Sequence, residues 1–303
     1  GEAGVLACVD ADGARVGPFR RLGAGGSVVE IGQYGAAGRK TGEWTTLHPG
    51  GGRARVETWQ DGWMNGPWAE WDTDGRKTLS GAYLVGSKHG PWWDWGPDGR
   101  PRELTTWDQG QRDGPAVSWH EDGDVALVGH HADGEKVGLW IAWGPGRQLR
   151  SVTPWADGVK VGEEAVWRPG GARERVTTYD AGRIVAEEVW HLNGQRARAR
   201  DATGRDEQWS SDGSPTLRCL PDGARVRCER FGEAGARATW TQVDGRREGP
   251  YVERDAAGRV TVEGTYTAGR KTGPWRVVGP DGAVDAARSG VYVDGQRVGP
   301  LGD

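Results

Sequence analysis

Gly66-Pro67-Trp68-Ala69-Glu70-Trp71-Asp72-Thr73-Asp74-Gly75 and, 24 residues later, Gly90-Pro91-Trp92-Trp93-Asp94-Trp95-Gly96-Pro97-Asp98-Gly99 are two copies of one unit. Working outward, Gly42, Gly66, Gly90, Gly114, Gly138 and Gly162 keep the same 24-residue spacing, and Gly138-Leu139-Trp140-Ile141-Ala142-Trp143 opens another copy. A fixed period of this size marks a repeat array, in which each unit contacts its neighbours and function lies along a surface. Gly17-Pro18-Phe19 precedes the regular stretch by one unit, and Gly249-Pro250-Tyr251 and Gly273-Pro274-Trp275 resume it after a gap.

Each unit holds two runs of five to nine residues rich in Trp, Val, Thr and Tyr, separated by two turns. Such runs suit strands and are too short and Gly-punctuated for helices. Asp-Gly at Asp74-Gly75, Asp98-Gly99, Asp122-Gly123, Asp222-Gly223 and Asp281-Gly282 predicts tight hairpins, because Gly accepts positive φ and Asp tolerates it. A second turn class closes each unit at Asp61-Gly62, Gln109-Gly110, Asp133-Gly134, Asp157-Gly158, Asp244-Gly245 and Asp294-Gly295. The expected fold is all-β, an elongated single-layer antiparallel β-meander or solenoid of about twelve 24-residue hairpin repeats. Residues 1–303 read as one array: regular repeats over 1–183, degenerate ones over 184–245, regular again over 246–303 with a partial last unit. Val5 to Val9 reads as an opening strand ahead of Asp12-Gly13. In the degenerate part the expected alternatives are a bend, an insertion that reaches a partner, or neutral drift.

The pattern Gly-x-Trp-x-x-Trp, an Asp-Gly turn, Gly-x-Tyr and Asp-Gly-x-Lys-x-Gly resembles the MORN repeat, most closely the bacterial variant of YwqK-type antitoxin proteins. The resemblance covers nearly the whole chain and implies an antiparallel sheet used as a binding or spacing module, with an antitoxin or immunity-like role following only by analogy.

Composition agrees with a thin sheet. Hydrophobic residues are 35% of 303, yet Gly occupies 53 positions and Trp 18, so apolar burial must come from large rings lying against glycine backbone, each burying on the order of 150–250 Å². A net charge of −4 gives no global field for nucleic acid or an anionic membrane. No apolar run approaches the ~18 residues of a transmembrane span. With no signal-peptide pattern at Gly1, a secreted or cell-envelope location with the leader removed is favoured over the cytoplasm. Of three cysteines, Cys8, Cys219 and Cys228, the last two flank Asp222-Gly223 and can meet as a disulfide or remain thiols, depending on the turn.

Counted from each unit Gly, aromatics recur at offset two (Phe19, Trp44, Trp68, Trp92, Trp140, Tyr251, Trp275), offset five (Trp71, Trp95, Trp119, Trp143, Trp167, Trp209) and offset seventeen (Tyr34, Trp59, Tyr83, Trp107, Trp155, Tyr179, Tyr266). Equivalent residues one unit apart lie two strands apart, roughly 9.5 Å, too far for direct ring contact, so offset seventeen is expected to fill the gap. A two-residue turn at Asp74-Gly75 pairs Thr73 with Arg76 and Gly66 with Tyr83, placing Tyr83 on the Trp68 face, and a one-residue bulge would reassign these partners. Offset five has the opposite parity and faces the other way. Basic residues recur two places before the unit Gly (Lys88, Arg112, Lys136, Lys160 among them) and are expected to line one solvated edge. The candidate binding surface is Trp68, Tyr83, Trp92, Trp107, Trp140, Trp155, Lys88, Arg112, Lys136 and Lys160.

Catalytic and metal-binding patterns are missing from the sequence: no nucleophile elbow, phosphate loop or His-Glu-x-x-His occurs. His48, His89, His120, His130, His131 and His191 share no ligand spacing, and His131 takes a place held by Trp or Tyr elsewhere. The expectation is a non-catalytic scaffold without cofactor or metal that binds a protein partner along its aromatic-lined face or edge. The alternatives are a self-associating structural or cell-surface protein, a homo-oligomer joined through terminal edge strands, and, more weakly, glycan binding through exposed Trp.

Overall fold

The structure, a computed structural model, describes residues 4–233 and 235–302. Those residues form 27 strands and two single-turn 3-10 segments, and no helix is long and apolar enough to cross a membrane. The expected all-β meander is present. It falls into two compact units, residues 1–161 with 169–171, and 162–168 with 172–303, a division inside the stretch expected to be regular. Within each unit successive strands pair antiparallel in chain order, and among the described residues neither unit closes into a barrel.

The tight two-residue turn expected at Asp74-Gly75 is found instead at the second turn class. At the second class both central residues have positive φ, for example Asp61 at 48° and Gly62 at 84°, between the paired Gln60 and Trp63. That is the mirror-image two-residue turn. Its Gly N–H also donates to the unit before: Gly62 N to Lys40 O at 2.9 Å, Gly110 N to Lys88 O at 2.9 Å and Gly134 N to Arg112 O at 2.8 Å. Consecutive units are therefore stitched along this edge as well as through the ladder.

The Asp74-Gly75 turn instead has a three-residue loop. Asp72 N donates to Arg76 O and Gly75 N to Asp72 O, while Asp72 Oδ1 accepts from the N–H groups of Asp74 and Arg76. Thr73 thus does not pair with Arg76. The extra loop residue shifts the register by one, and a bulge that opposes Trp71 to Lys77 but Glu70 to Leu79 shifts it back. Gly66 pairs with Tyr83 as expected, because the two deviations cancel.

The degenerate stretch keeps its strands, although Arg196–Asp201 and Asp206–Trp209 are short. Where rings lapse, ion pairs take their place: Arg200 to Glu187 at 2.9 Å, Arg198 to Asp206 at 2.8 Å and Arg205 to Glu207 at 2.6 Å. Partly exposed pairs of this kind contribute little individually. The stronger device is covalent. Cys219 and Cys228 are directly opposed, with Cα atoms 4.0 Å apart, and form a disulfide, while Cys8 is free and exposed.

Closing a loop of sequence separation 9 restricts the unfolded chain by about 2–3 kcal/mol. Cys219→Ala/Cys228→Ala should lower the stability of the strands Pro215–Asp222 and Arg225–Gly232 by that amount in amide hydrogen exchange. Protection in strands Arg53–Gln60 and Trp63–Trp71 should not change.

Candidate functional site

On one face of the sheet the offset-two rings are the core. Trp44, Trp92, Trp140 and Trp275 are 2, 4, 6 and 1% exposed. Each lies over a glycine of the preceding strand, at Gly32, Gly81, Gly129 and Gly264, where an added Cβ would stand 2.2–2.4 Å from the indole. The indole leans far enough across this gap to reach the ring of the unit before. Phe19 and Trp44 have centroids 5.1 Å apart, Trp68 and Trp92 5.2 Å, and Tyr251 and Trp275 5.8 Å. Rings one unit apart therefore do meet directly, contrary to the spacing argument, because the intervening residue has no side chain. The offset-seventeen tyrosine closes each couple edge-on, Tyr34 at 5.1 Å from Trp44 and Tyr83 at 5.2 Å from Trp92.

The carbonyl freed by the local bulge is satisfied by the same indole. Trp44 Nε1 donates to Gln33 O, Trp92 Nε1 to Ala82 O and Trp275 Nε1 to Thr265 O, each at 3.1 Å. Where the intervening residue is not glycine, the arrangement changes. Glu57 stands opposite Trp68, held by Arg55 at 2.8 Å and by Trp59 Nε1 at 3.0 Å, and Trp68 is only half-buried.

The basic residues expected along a solvated edge turn onto these rings. Lys40 Nζ lies 3.8 Å from the Trp44 centroid and 4.9 Å from that of Trp59; Lys88 repeats this with Trp92 and Trp107 at 4.1 and 4.8 Å, and Lys136 with Trp140 and Trp155 at 4.2 and 5.0 Å. Arg112 lies 5.7 Å from Trp107 and Lys160 5.8 Å from Trp155. Cations so placed are attracted by the ring quadrupole, by about 0.5–2 kcal/mol. Burial lowers the Lys88 pKa, and the neighbouring Arg112 charge adds to the effect. Burial raises the Tyr83 pKa, with Glu57 and Glu70 reinforcing it. The structure thus brings Trp68, Tyr83, Trp92, Trp107, Lys88 and Arg112, and likewise Trp140, Trp155, Lys136 and Lys160, onto one face. Trp92 and Trp140 are buried there, at 4 and 6% exposed.

The opposite face is different. Pairing carries one row through Val56, Ala69, Ser80, Trp93, Leu104, Val117, Val128, Ile141 and Val152, all half-buried. Trp93 stacks with Trp95 at 5.7 Å and with Trp119 at 5.9 Å. Beside them, Val56, Ala69, Trp71, Ser80, Ala82 and Trp93 line a groove of about 430 Å³. In the second unit the equivalent row includes Glu188, Glu207, Arg218, Glu229, Glu263 and Arg276. Sequence reasoning missed this contrast. Its signal was present as a period-two apolar alternation in the first unit that charges replace in the second.

The histidines have local roles. Nε2 of His48, His120 and His191 lies 2.9, 2.9 and 2.8 Å from the carbonyl oxygens of Trp71, Trp143 and Trp209, one unit on. Among the described residues no three His, Cys, Asp or Glu side chains are grouped to hold a metal ion.

No family model matches the chain, and no curated protein matches it. The solved structures described as TcdB2-TccC3 and TcdB2-TccC3-Cdc42 align with 96% of this chain at 13 and 12% identity. Their TM-scores are 0.17 and 0.15, and the aligned part is 19 and 20% of those chains, so this chain spans about a fifth of their length. These values carry no argument about its fold or function.

Burial, followed by the charges of Arg112, Lys136 and His130, lowers the His131 pKa below its ordinary 6.5. The unfolded chain then binds a proton at a pH where the folded chain does not, so the stability due to neutral His131 is complete above about 6.5 and is lost as pH falls from there to the folded value. Urea midpoints should fall between about pH 7 and about pH 5.5. The fall should be smaller in His131→Tyr, which restores the ring found at this offset in other units.

Proposed function

We propose that this chain is a non-catalytic repeat scaffold that binds a protein partner along the apolar face of its first unit. The observation that carries this reading is the row from Val56 to Val152, apolar at every position but Ser80, half-exposed, and bordered by the half-buried Trp71, Trp95, Trp119 and Trp143. Contiguous half-exposed apolar surface on an open sheet marks an interaction site, and aromatic anchors beside it supply the large contributions to binding. The ring-and-cation face is largely taken up by the protein's own packing, and the opposite face carries the contiguous apolar surface that suits a protein partner. The MORN-like assignment of the repeats and an antitoxin or immunity-like role belong to this same proposal.

The test is quantitative capture from the source organism with variants on each face. Val117→Lys and Ile141→Lys should each weaken retention of a stoichiometric protein partner by about tenfold or more, corresponding to roughly 1.4 kcal/mol or more. Lys88→Gln, on the other face, should leave it unchanged. A partner retained equally by all variants would place binding elsewhere.

A further inference from the structure

The ring couples are built to one plan, and one of them is incomplete. Phe19 with Trp44, Trp68 with Trp92 and Tyr251 with Trp275 are each two rings meeting across a glycine. Trp140 leans over Gly129 in the same way, toward position 116, which is alanine. The space left beside Trp140 is a hollow of about 170 Å³ whose wall includes Thr105, Arg112, Ala116, His131, Lys136 and Trp140, with Glu103, which accepts from Thr105 Oγ1 at 2.8 Å, as its one carboxylate. An apolar cavity of about 150 Å³ is large enough for benzene.

Two polar atoms in this wall lack partners. His131 is 6% exposed, and its Nδ1 is buried with no hydrogen bond; the same is true of Trp140 Nε1. The equivalent indoles Trp44, Trp92 and Trp275 all donate to a carbonyl. Buried polar groups without partners are costly and call for an explanation. His131 fills the offset-seventeen place and meets Trp140 edge-on at 4.9 Å, as Tyr34 and Tyr83 meet their indoles. The charges also fit a missing group. Arg15 lies 5.6 Å from Phe19 and Arg247 5.2 Å from Tyr251, each over the first ring of its couple. Arg112 holds the corresponding place here with no ring at position 116 to cover, and Lys136 borders the same hollow.

We propose that this hollow binds a small aromatic carboxylate, whose ring takes the place of the absent offset-two side chain against Trp140 and whose carboxylate is held by Arg112 and Lys136. Arg112 covers the ring of the ligand as Arg15 covers Phe19, and the ligand's carboxylate is the acceptor that Trp140 Nε1–H lacks. Cation–π contact and a charge-assisted hydrogen bond act on one molecule, so neither a neutral arene nor an aliphatic acid satisfies the site equally.

Indole-3-carboxylate, with neutral indole and acetate as comparisons, tests this by calorimetric titration of the whole chain. The aromatic acid should bind saturably at one site, and indole and acetate at least about tenfold more weakly. Ala116→Trp, which installs the ring other units carry, should abolish binding. Arg112→Gln, an exposed position that leaves the hollow open, should weaken the acid at least about tenfold and neutral indole by a smaller factor, because indole loses only the cation–π contact and the acid loses the ion pair as well. Circular dichroism and thermal melting establish that both variants are folded. Absence of saturable binding at millimolar acid, equal affinity for indole and its acid, or undiminished binding by folded Ala116→Trp would each overturn the proposal.

Discussion

An indole laid on a glycine of the preceding strand is the contact on which the rest of this structure depends. Within each unit the described strands form one layer, so a side chain has its own sheet to pack against, and one standing upright from a strand would leave most of its surface in water. By removing the side chain at Gly32, Gly81, Gly129 and Gly264, the sequence lets Trp44, Trp92, Trp140 and Trp275 fold down onto backbone. Each such ring removes about 150–250 Å² from water, a gross gain on the order of 4–6 kcal/mol at about 25 cal/mol per Å². The neighbouring ring, the edge-on tyrosine and the lysine over the indole all require that collapsed geometry.

The same contact explains why the true structural period is two units in the first part of the chain. Gly32, Gly81 and Gly129 alternate with Glu57, Thr105 and Thr153 at the offset facing the next indole position. Where glycine stands, the next ring sinks. Where it does not, position 68 keeps a half-buried Trp against Glu57, and position 116 becomes Ala beside Thr105. Across the stretch from 184 to 245, charged pairs and the Cys219–Cys228 bond do by electrostatics and covalent constraint what the rings do elsewhere.

Much of this was legible in the sequence, for physical reasons. The hairpin per unit follows from turn residues at fixed spacing and the two ring faces from the alternation of strand side chains, whereas the pairing of Tyr83 with Gly66 was reached from a two-residue loop and holds only because the three-residue loop and the bulge cancel. The turn types were not legible, because Asp-Gly serves both a mirror-image two-residue turn and the end of a three-residue loop. At Asp72 the backbone hydrogen bonds decide between them. Nor was the direct meeting of rings 24 residues apart. It depends on what the intervening strand omits, and the absence of a side chain at Gly81 or Gly129 is easily read as one more turn-former in a chain with 53 glycines. The lysines at offset minus two were misplaced for a related reason: their chemistry suits a solvated edge, and only the collapsed indole beneath them provides a better site.

The most direct measurement is a double-mutant cycle between Gly81 and Trp92. Gly81 has ordinary backbone torsions, so alanine there brings only its methyl into the space the indole occupies. Gly52, whose torsions are also ordinary and whose added Cβ would meet nothing within 4 Å, is the reference. If the indole depends on the bare backbone, Gly81→Ala should lose about 1–3 kcal/mol in urea unfolding while Gly52→Ala changes little. In a Trp92→Leu background the Gly81→Ala loss should shrink by about 1 kcal/mol or more. Equal losses at Gly81 and Gly52, or additive effects of Gly81→Ala and Trp92→Leu, would contradict the dependence of the fold on this contact.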